Sequence, residues 1–191
     1  YRNGHYDESE RLYQDVLSMY RTIYGEEDTH VAACLNEIAI LYAHTERYDD
    51  AEPMAREALQ INFKRIGPEH ARIASDLNAL GSILRAKGNL EEAERLHRSS
   101  LAMRQKLFGN DNEYVGVSQV MLGTCLMRMS RYDEAEKEML EALRIFRAGQ
   151  IDPGRSQDAM ERLAELYGLW GKPEQETRYR ELSAAPTTPP P

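Results

Sequence analysis

A seven-residue pattern recurs along the chain at a constant interval of 42 residues. It reads ERYDDAE at 46–52, GNLEEAE at 88–94 and SRYDEAE at 130–136. Leucine keeps the same interval at positions 17, 59, 101 and 143. A fixed period of this size indicates a stack of repeated supersecondary units, each of which buries its apolar face against its neighbours. The period therefore constrains the fold more than any single motif does.

Each repeat is predicted to contain two amphipathic helices. The spacing i, i+3, i+4 and i+7 of one helical face is met by Leu35, Ile38, Ala39 and Tyr42. Glycines at 25, 67 and 109 follow long helical stretches and mark helix ends. The sequence thus predicts an all-α protein with helices near 6–23, 28–45, 48–66, 69–87, 90–108, 111–129, 132–148, 154–170 and 173–182.

Small residues also recur with the period, at positions where two helices must approach closely. On the first helix of each pair these are Ala39, Gly81, Gly123 and Ala164. On the second helix they are Ala51, Ala93 and Ala135. A larger side chain at such a position would force the paired helices apart.

Composition narrows the classes of partner. The chain has 32 Asp and Glu against 24 Lys and Arg, a formal net charge of −8. Nucleic acid is an unsuitable main partner, because phosphate binding needs a basic surface. No apolar run approaches the length of about 20 residues that a membrane span needs. The two cysteines, Cys34 and Cys125, indicate buried apolar side chains in a reducing compartment, so a cytoplasmic location is predicted.

The repeated residues resemble the tetratricopeptide repeat, in the 42-residue form of kinesin light chains. The matching text includes LNEIAILYAHTERYDDAEPMAREALQI at 35–61 and LNALGSILRAKGNLEEAERLH at 77–97. The resemblance implies a right-handed α-solenoid of antiparallel helix pairs, with about four repeats and the first one truncated. One array over 1–182 is predicted, with repeats near 1–25, 26–67, 68–109, 110–149 and 150–182, followed by a Pro-rich tail at 183–191.

The same resemblance implies that the first helix of each pair lines a concave groove. A polar and apolar stripe on these helices lies away from the core face, which favours binding of a peptide with an acidic residue and apolar side chains. The predicted groove residues are Asn36, Ile40, Asn78, Ser82, Arg85, Val120, Thr124, Met127 and Arg128. The alternative for Asn36 and Asn78 is that they stabilise the helix stack.

Catalytic and cofactor motifs are not predicted. His30 and Cys34 have a spacing that can bind a metal, but no second ligand pair accompanies them. The sequence therefore predicts a non-catalytic scaffold with a protein or peptide partner and without metal or cofactor. Two alternatives stay open: self-association through exposed end helices, giving a homodimer, and a regulatory repeat region of a larger signalling kinase.

Aromatic side chains on the second helices are expected to seal gaps between repeats. They are Tyr20, Tyr24, Phe63, Phe108 and Phe146. The first predicted helix lacks an upstream partner, so its apolar stripe is expected to be uncovered on one side. That stripe consists of Leu12, Val16, Met19 and Ile23.

Overall fold

The computed structural model describes residues 3–149 and 152–184 of the 191 residues. All the regular structure in that part is helical. The helices are α1 (Asn3–Tyr24), α2 (Thr29–His44), α3 (Tyr48–Ile66), α4 (Ala71–Lys87), α5 (Leu90–Phe108), α6 (Glu113–Arg128), α7 (Tyr132–Ala148), α8 (Pro153–Trp170) and α9 (Pro173–Ala184). The predicted helices are confirmed to within a few residues. The predicted tail begins inside α9, which continues to Ala184, and its remainder lies outside the described residues.

The turn inside each pair explains the recurring seven residues. A residue with positive φ occupies the first position of each copy: Glu46 (60°), Gly88 (89°) and Ser130 (59°). Gly171 (73°) occupies the corresponding turn before α9. Glycine adopts this left-handed conformation without steric cost, whereas Glu46 and Ser130 each carry a cost of about 1–2 kcal/mol. The next helix begins two residues later in each case, so the repeated text is the bend and first turn of the second helix.

The first helices, α2, α4, α6 and α8, all begin with a side-chain cap. The capping atoms accept hydrogen bonds from the backbone N–H two residues on, over 2.9–3.1 Å. The capping residues are Asp28, His70, Asn112 and Asp152. Each cap satisfies one of the backbone donors that a helix start leaves open, so the sequence fixes where each first helix begins.

The chain divides into two compact units, Tyr1–Met103 and Arg104–Pro191, with the division inside α5. In the first unit, α2 packs against α1, α3 and α4. In the second unit, α7 packs between α6 and α8, and α8 also packs against α9. The core consists mainly of Leu, Ile and Ala in the first unit and of Leu, Ala and Met in the second. The predicted single array over 1–182 stays a prediction.

The recurring small residues are buried, as the sequence predicts. Ala51, Ala93 and Ala135 are fully buried on the second helices. A Cβ atom added at Gly123 would lie 2.8 Å from Met139 Cγ and 3.2 Å from the Ala135 carbonyl oxygen on α7. Real Cβ contacts are not that short, so α6 and α7 keep their spacing only with glycine at 123.

Candidate functional site

The predicted groove residues lie on α2, α4 and α6. Those in the first unit are Asn36, Ile40, Asn78, Ser82 and Arg85, and those in the second are Val120, Thr124, Met127 and Arg128. The two units thus carry separate parts of the predicted surface.

In the first unit, four of the five predicted residues are at least partly accessible, and the half-buried Asn36 is one of them. The side chain of Ile40 is 43% exposed, and those of Ser82 and Arg85 are half-buried. Ile40 on α2 offers apolar contact, and Ser82 and Arg85 on α4 carry hydrogen-bond donors that suit a carboxylate.

Asn36 takes part in a polar cluster that joins three helices. Its Nδ2 donates to Asp76 Oδ1 over 2.7 Å, and Asn62 Nδ2 donates to Asp76 Oδ2 over 2.7 Å. Asp76 is buried on α4, and this burial raises the pKa of its carboxyl although the two amide hydrogen bonds oppose the rise. These contacts support the alternative that Asn36 stabilises the helix stack.

Asn78 is more deeply buried, and its partner is a histidine. The Asn78 side chain is 7% exposed, and its Oδ1 lies 3.0 Å from Nδ1 of the fully buried His97. Burial, with a smaller contribution from the charge of Arg85, lowers the pKa of His97 from 6.5 to about 4. The neutral ring therefore donates from Nδ1 to Asn78, and this contact also supports a structural role for the asparagine.

In the second unit, most of the predicted residues point into the protein. Val120, Thr124 and Met127 are buried, and Thr124 Oγ1 donates to the Val120 carbonyl within α6 over 2.8 Å. Arg128 is exposed at the end of α6. A ligand can therefore reach Arg128 directly, whereas burial closes Thr124 and Met127 to it. Of the other three, only Val120 lines a surface depression.

Such a depression lies between α6 and α8. It has a volume of about 330 Å³ and is lined by Val117, Val120, Met121, Phe146, Asp152, Gly154, Arg155 and Asp158. The α6 and α7 residues supply an apolar floor. Arg155 and Asp158 supply a charged rim, and Arg155 Nη2 lies 3.0 Å from Glu113 Oε1. An apolar floor under a few oriented polar groups is the usual make-up of a ligand site.

Sequence reasoning identified part of this α6–α8 cavity. Val120 is a predicted groove residue, whereas Met121, Phe146 and Arg155 were missed. Met121 was missed because it lies outside the predicted stripe of α6, although it directly follows Val120. Phe146 was missed because it belongs to α7, a second helix. A signal existed for Met121, because its position one turn after Val117 places both side chains on one face.

Other chemical features of the described residues are few. Cys34 and Cys125 are buried free thiols, as predicted. Within residues 3–149 and 152–184 there is no group of three or more His, Cys, Asp or Glu side chains that could hold a metal ion. No helix in that part of the chain has both the length and the apolar character that a bilayer crossing requires.

These repeats and their helix pairs correspond to a known family. The tetratricopeptide repeat family model matches residues 1–62 and 69–148. The chain belongs to the tetratricopeptide repeat family, which is generally a non-catalytic fold for protein interactions. No curated protein sequence matches the chain.

Solved structures of the same fold include kinesin-light-chain-like proteins. BtubC (BKLC) from P. vanneervenii is 22% identical with a TM-score of 0.79, over 100% of this chain and 79% of that one. TPR-like repeats from a kinesin light chain candidate of Podosopora anserina are 20% identical with a TM-score of 0.78, over 95% of this chain and 86% of that one. The predicted tetratricopeptide repeat family and the all-α solenoid of antiparallel helix pairs are confirmed, and these kinesin-light-chain-like proteins share the fold.

A Rap protein complexed with Competence and Sporulation Factor has the same fold. It is 18% identical with a TM-score of 0.79, over 95% of this chain and 49% of that one. At this identity the likeness concerns the fold. Together with the family match, it supports a repeat scaffold for protein interaction.

Proposed function

We propose that this protein is a non-catalytic scaffold that binds a peptide segment of a protein partner on its first helices. The observation that carries the proposal is the α6–α8 cavity, with Val117 and Met121 on its floor and charged groups on its rim. Its volume of about 330 Å³ accommodates one or two apolar side chains of an extended peptide. The solved complex of a Rap protein with Competence and Sporulation Factor supports the proposal by analogy of fold.

The peptide chemistry follows from the groups around the cavity and on the first helices. The floor selects an apolar side chain. Exposed Arg128 and half-buried Arg85 carry guanidinium groups that can hold a carboxylate. A segment that combines apolar side chains with an acidic residue therefore fits each unit taken by itself.

A charge placed on the cavity floor should weaken this binding. Peptides selected from a displayed random library on the native protein are the probe. We expect Val117→Glu to weaken their binding at least tenfold, because a carboxylate must then be desolvated against the apolar ligand side chain. Val117 is half-buried and Glu is a good helix former, so the melting temperature should change by only a few degrees.

Leu140→Glu is the matched control. Leu140 is an exposed apolar residue on α7 in the same unit and does not line the cavity. Its substitution should leave peptide affinity unchanged. Equal losses in the two variants, or full affinity in Val117→Glu, would refute the assignment of this cavity.

Self-association is the second candidate function, because the predicted stripe on α1 is largely exposed. Leu12 and Ile23 are about 60% exposed and Met19 is 49% exposed. An apolar stripe of this kind favours pairing with another helix. We expect a homodimer formed this way to dissociate in Ile23→Lys, as measured by light scattering across a dilution series. A constant monomer mass for the native protein would exclude this function. The third alternative, a regulatory region of a larger kinase, stays a prediction from resemblance.

A further inference from the structure

A second groove lies in the first unit, mainly on its second helices, and shares no lining residue with the proposed peptide site. It has a volume of about 670 Å³ and is lined by Arg56, Leu59, Gln60, Phe63, Lys64, Pro68, Ile73, Leu77, Leu80, Ser99 and Met103. These residues come from α3, α4, α5 and the loop after α3. We call it the α3–α5 groove.

The repeat period supplies an internal comparison for this groove. A cavity of about 410 Å³ on α1 is lined by Gln14, Leu17, Ser18, Arg21, Thr22 and Glu26. Moving each position by one period of 42 residues gives Arg56, Leu59, Gln60, Phe63, Lys64 and Pro68, all of which line the α3–α5 groove. Only the leucine is the same in both. The same place in the fold is therefore more apolar on α3, where Phe63 and Pro68 replace Arg21 and Glu26.

One pair of substitutions accounts for much of the difference. Arg21 Nη2 on α1 donates to Glu57 Oε1 on α3 over 2.8 Å, so an ion pair crosses between consecutive second helices. One period later these positions are Phe63 and Ser99. The Ser99 hydroxyl donates to the Arg95 carbonyl of its own helix over 2.9 Å. An ion pair that covers the space between the helices is replaced by an aromatic ring and a small side chain.

Phe63 consequently contradicts the prediction that it seals a gap between repeats. Its side chain is 53% exposed. Single exposed apolar residues are common on protein surfaces, but Phe63 shares one depression with half-buried Leu59, Leu77 and Met103. A contiguous apolar depression of this kind marks an interaction site rather than a solvated surface.

Charge around the α3–α5 groove limits what can occupy it. The lining contains Arg56 and Lys64 and no carboxylate, in a chain with net charge −8. Arg56 pairs with Glu52 and Glu92, and Lys64 pairs with Glu27, so a ligand carboxylate must share these cations. Apolar contact is then the main source of affinity. Both cations line the groove and their partner carboxylates do not, so charge gives acidic flanks a smaller advantage over basic ones.

We propose that the α3–α5 groove is a second docking site, which takes an amphipathic helix of a partner protein with bulky apolar side chains flanked by acidic residues. The volume is large enough for two such side chains, and a helix laid in a groove presents them at i and i+3 or i+4. The site lies on α3 and α5, so it is separate from the α6–α8 cavity. One chain can thereby hold two partner segments.

Two synthetic helical peptides test this proposal. Both are about 16 residues long with the same Leu and Phe face, and their flanking residues are Glu in one and Lys in the other. We expect the Glu peptide to bind the native protein, in fluorescence anisotropy, several-fold more tightly than the Lys peptide. The double variant Phe63→Arg, Ser99→Glu introduces the residue pair found at Arg21 and Glu57 and should weaken the Glu peptide at least tenfold.

Two further variants keep the test decisive. Phe63→Gln introduces the residue found one period later at Gln105, and it should also weaken the Glu peptide if the double variant fails to fold. Val117→Glu should leave this binding unchanged, because its site is the α6–α8 cavity. Absence of binding up to about 1 mM peptide, or equal affinity for the native and Phe63 variants, would overturn the proposal. So would a native dimer that the double variant abolishes, because the occupant would then be a second copy.

Discussion

The Gly123→Val variant is expected to unfold about 10 °C below the native protein, the largest stability change among the substitutions considered. Even a Cβ atom at 123 lies 2.8 Å from Met139 Cγ and 3.2 Å from a backbone oxygen of α7. The backbone cannot rotate away as a side chain can, so valine must separate α6 from α7. Overpacking of this kind costs about 3 kcal/mol, and each kcal/mol lowers the melting temperature of a chain this size by about 2–4 °C.

Gly168→Ala is the control for the loss of glycine itself. Gly168 is an exposed residue of α8, and a Cβ atom there would meet only the end of the Glu176 side chain, at 3.1 Å. That carboxylate can move, and alanine favours the helix over glycine by up to about 1 kcal/mol. The melting temperature should therefore be unchanged or slightly higher. If the melting temperature of Gly123→Val lies within about 2 °C of the native value, Gly123 does not set the spacing between α6 and α7.

Acid is expected to destabilise the protein through His97. The pKa of His97 is about 4 in the folded protein, against an ordinary value of 6.5. As the pH falls below 6.5, His97 therefore binds a proton in the unfolded chain but stays neutral in the folded protein. The stabilisation is complete above pH 6.5 and is lost as the pH falls from 6.5 towards 4. Between pH 7.5 and pH 5 this amounts to about 2 kcal/mol in the free energy of unfolding, measured by urea denaturation.

His97→Asn isolates this contribution. The asparagine retains a side-chain donor for Asn78 but does not titrate. From pH 7.5 to pH 5, the free energy of unfolding of the variant should therefore fall by about 2 kcal/mol less than that of the native protein. Asp76 acts in the opposite direction, because its raised pKa favours the folded state as the carboxyl becomes protonated. Both proteins contain Asp76, so the difference between them cancels its effect. The same pH dependence in both would contradict a buried neutral histidine.

Much of the fold could be predicted from the sequence because the period repeats the same local signals. Each bend residue, each capping side chain and each buried small residue recurs about every 42 positions, as Gly88, Asn112 and Ala135 illustrate. At these positions the local conformational preference of the residue agrees with the packing that the fold requires. Such agreement allows the fold to be predicted from the sequence. The helix boundaries followed from these signals alone.

The candidate site was less predictable, because its residues depart from the period. Asp76 has no acidic counterpart at 34 or 118, where Cys34 and Ser118 stand. Its amide partners come from two other helices, so no spacing along the chain reveals the cluster. Asn36 therefore looked like a groove residue, although its amide is engaged by a buried carboxylate.

Phe63 is the complementary case. Of the five aromatic residues expected to seal gaps, Phe146 is buried and Tyr20 is half-buried, whereas Tyr24, Phe63 and Phe108 are exposed. Phe63 occupies the position of Arg21 instead, where the helix faces the gap between consecutive second helices. The periodic comparison that reveals this needs the Arg21–Glu57 contact, which only the folded structure provides.

Methionine methyl resonances test the central claim, peptide binding at the α6–α8 cavity, most directly. Met121 lines that cavity, Met103 lines the α3–α5 groove, Met19 lies on the exposed stripe of α1, and Met54 lies on α3 and lines none of the three. With methyl-labelled protein, a library-selected peptide should shift the Met121 resonance in proportion to occupancy and leave Met54 unchanged. A bound peptide that shifts Met103 or Met19 while Met121 stays in place would contradict the account.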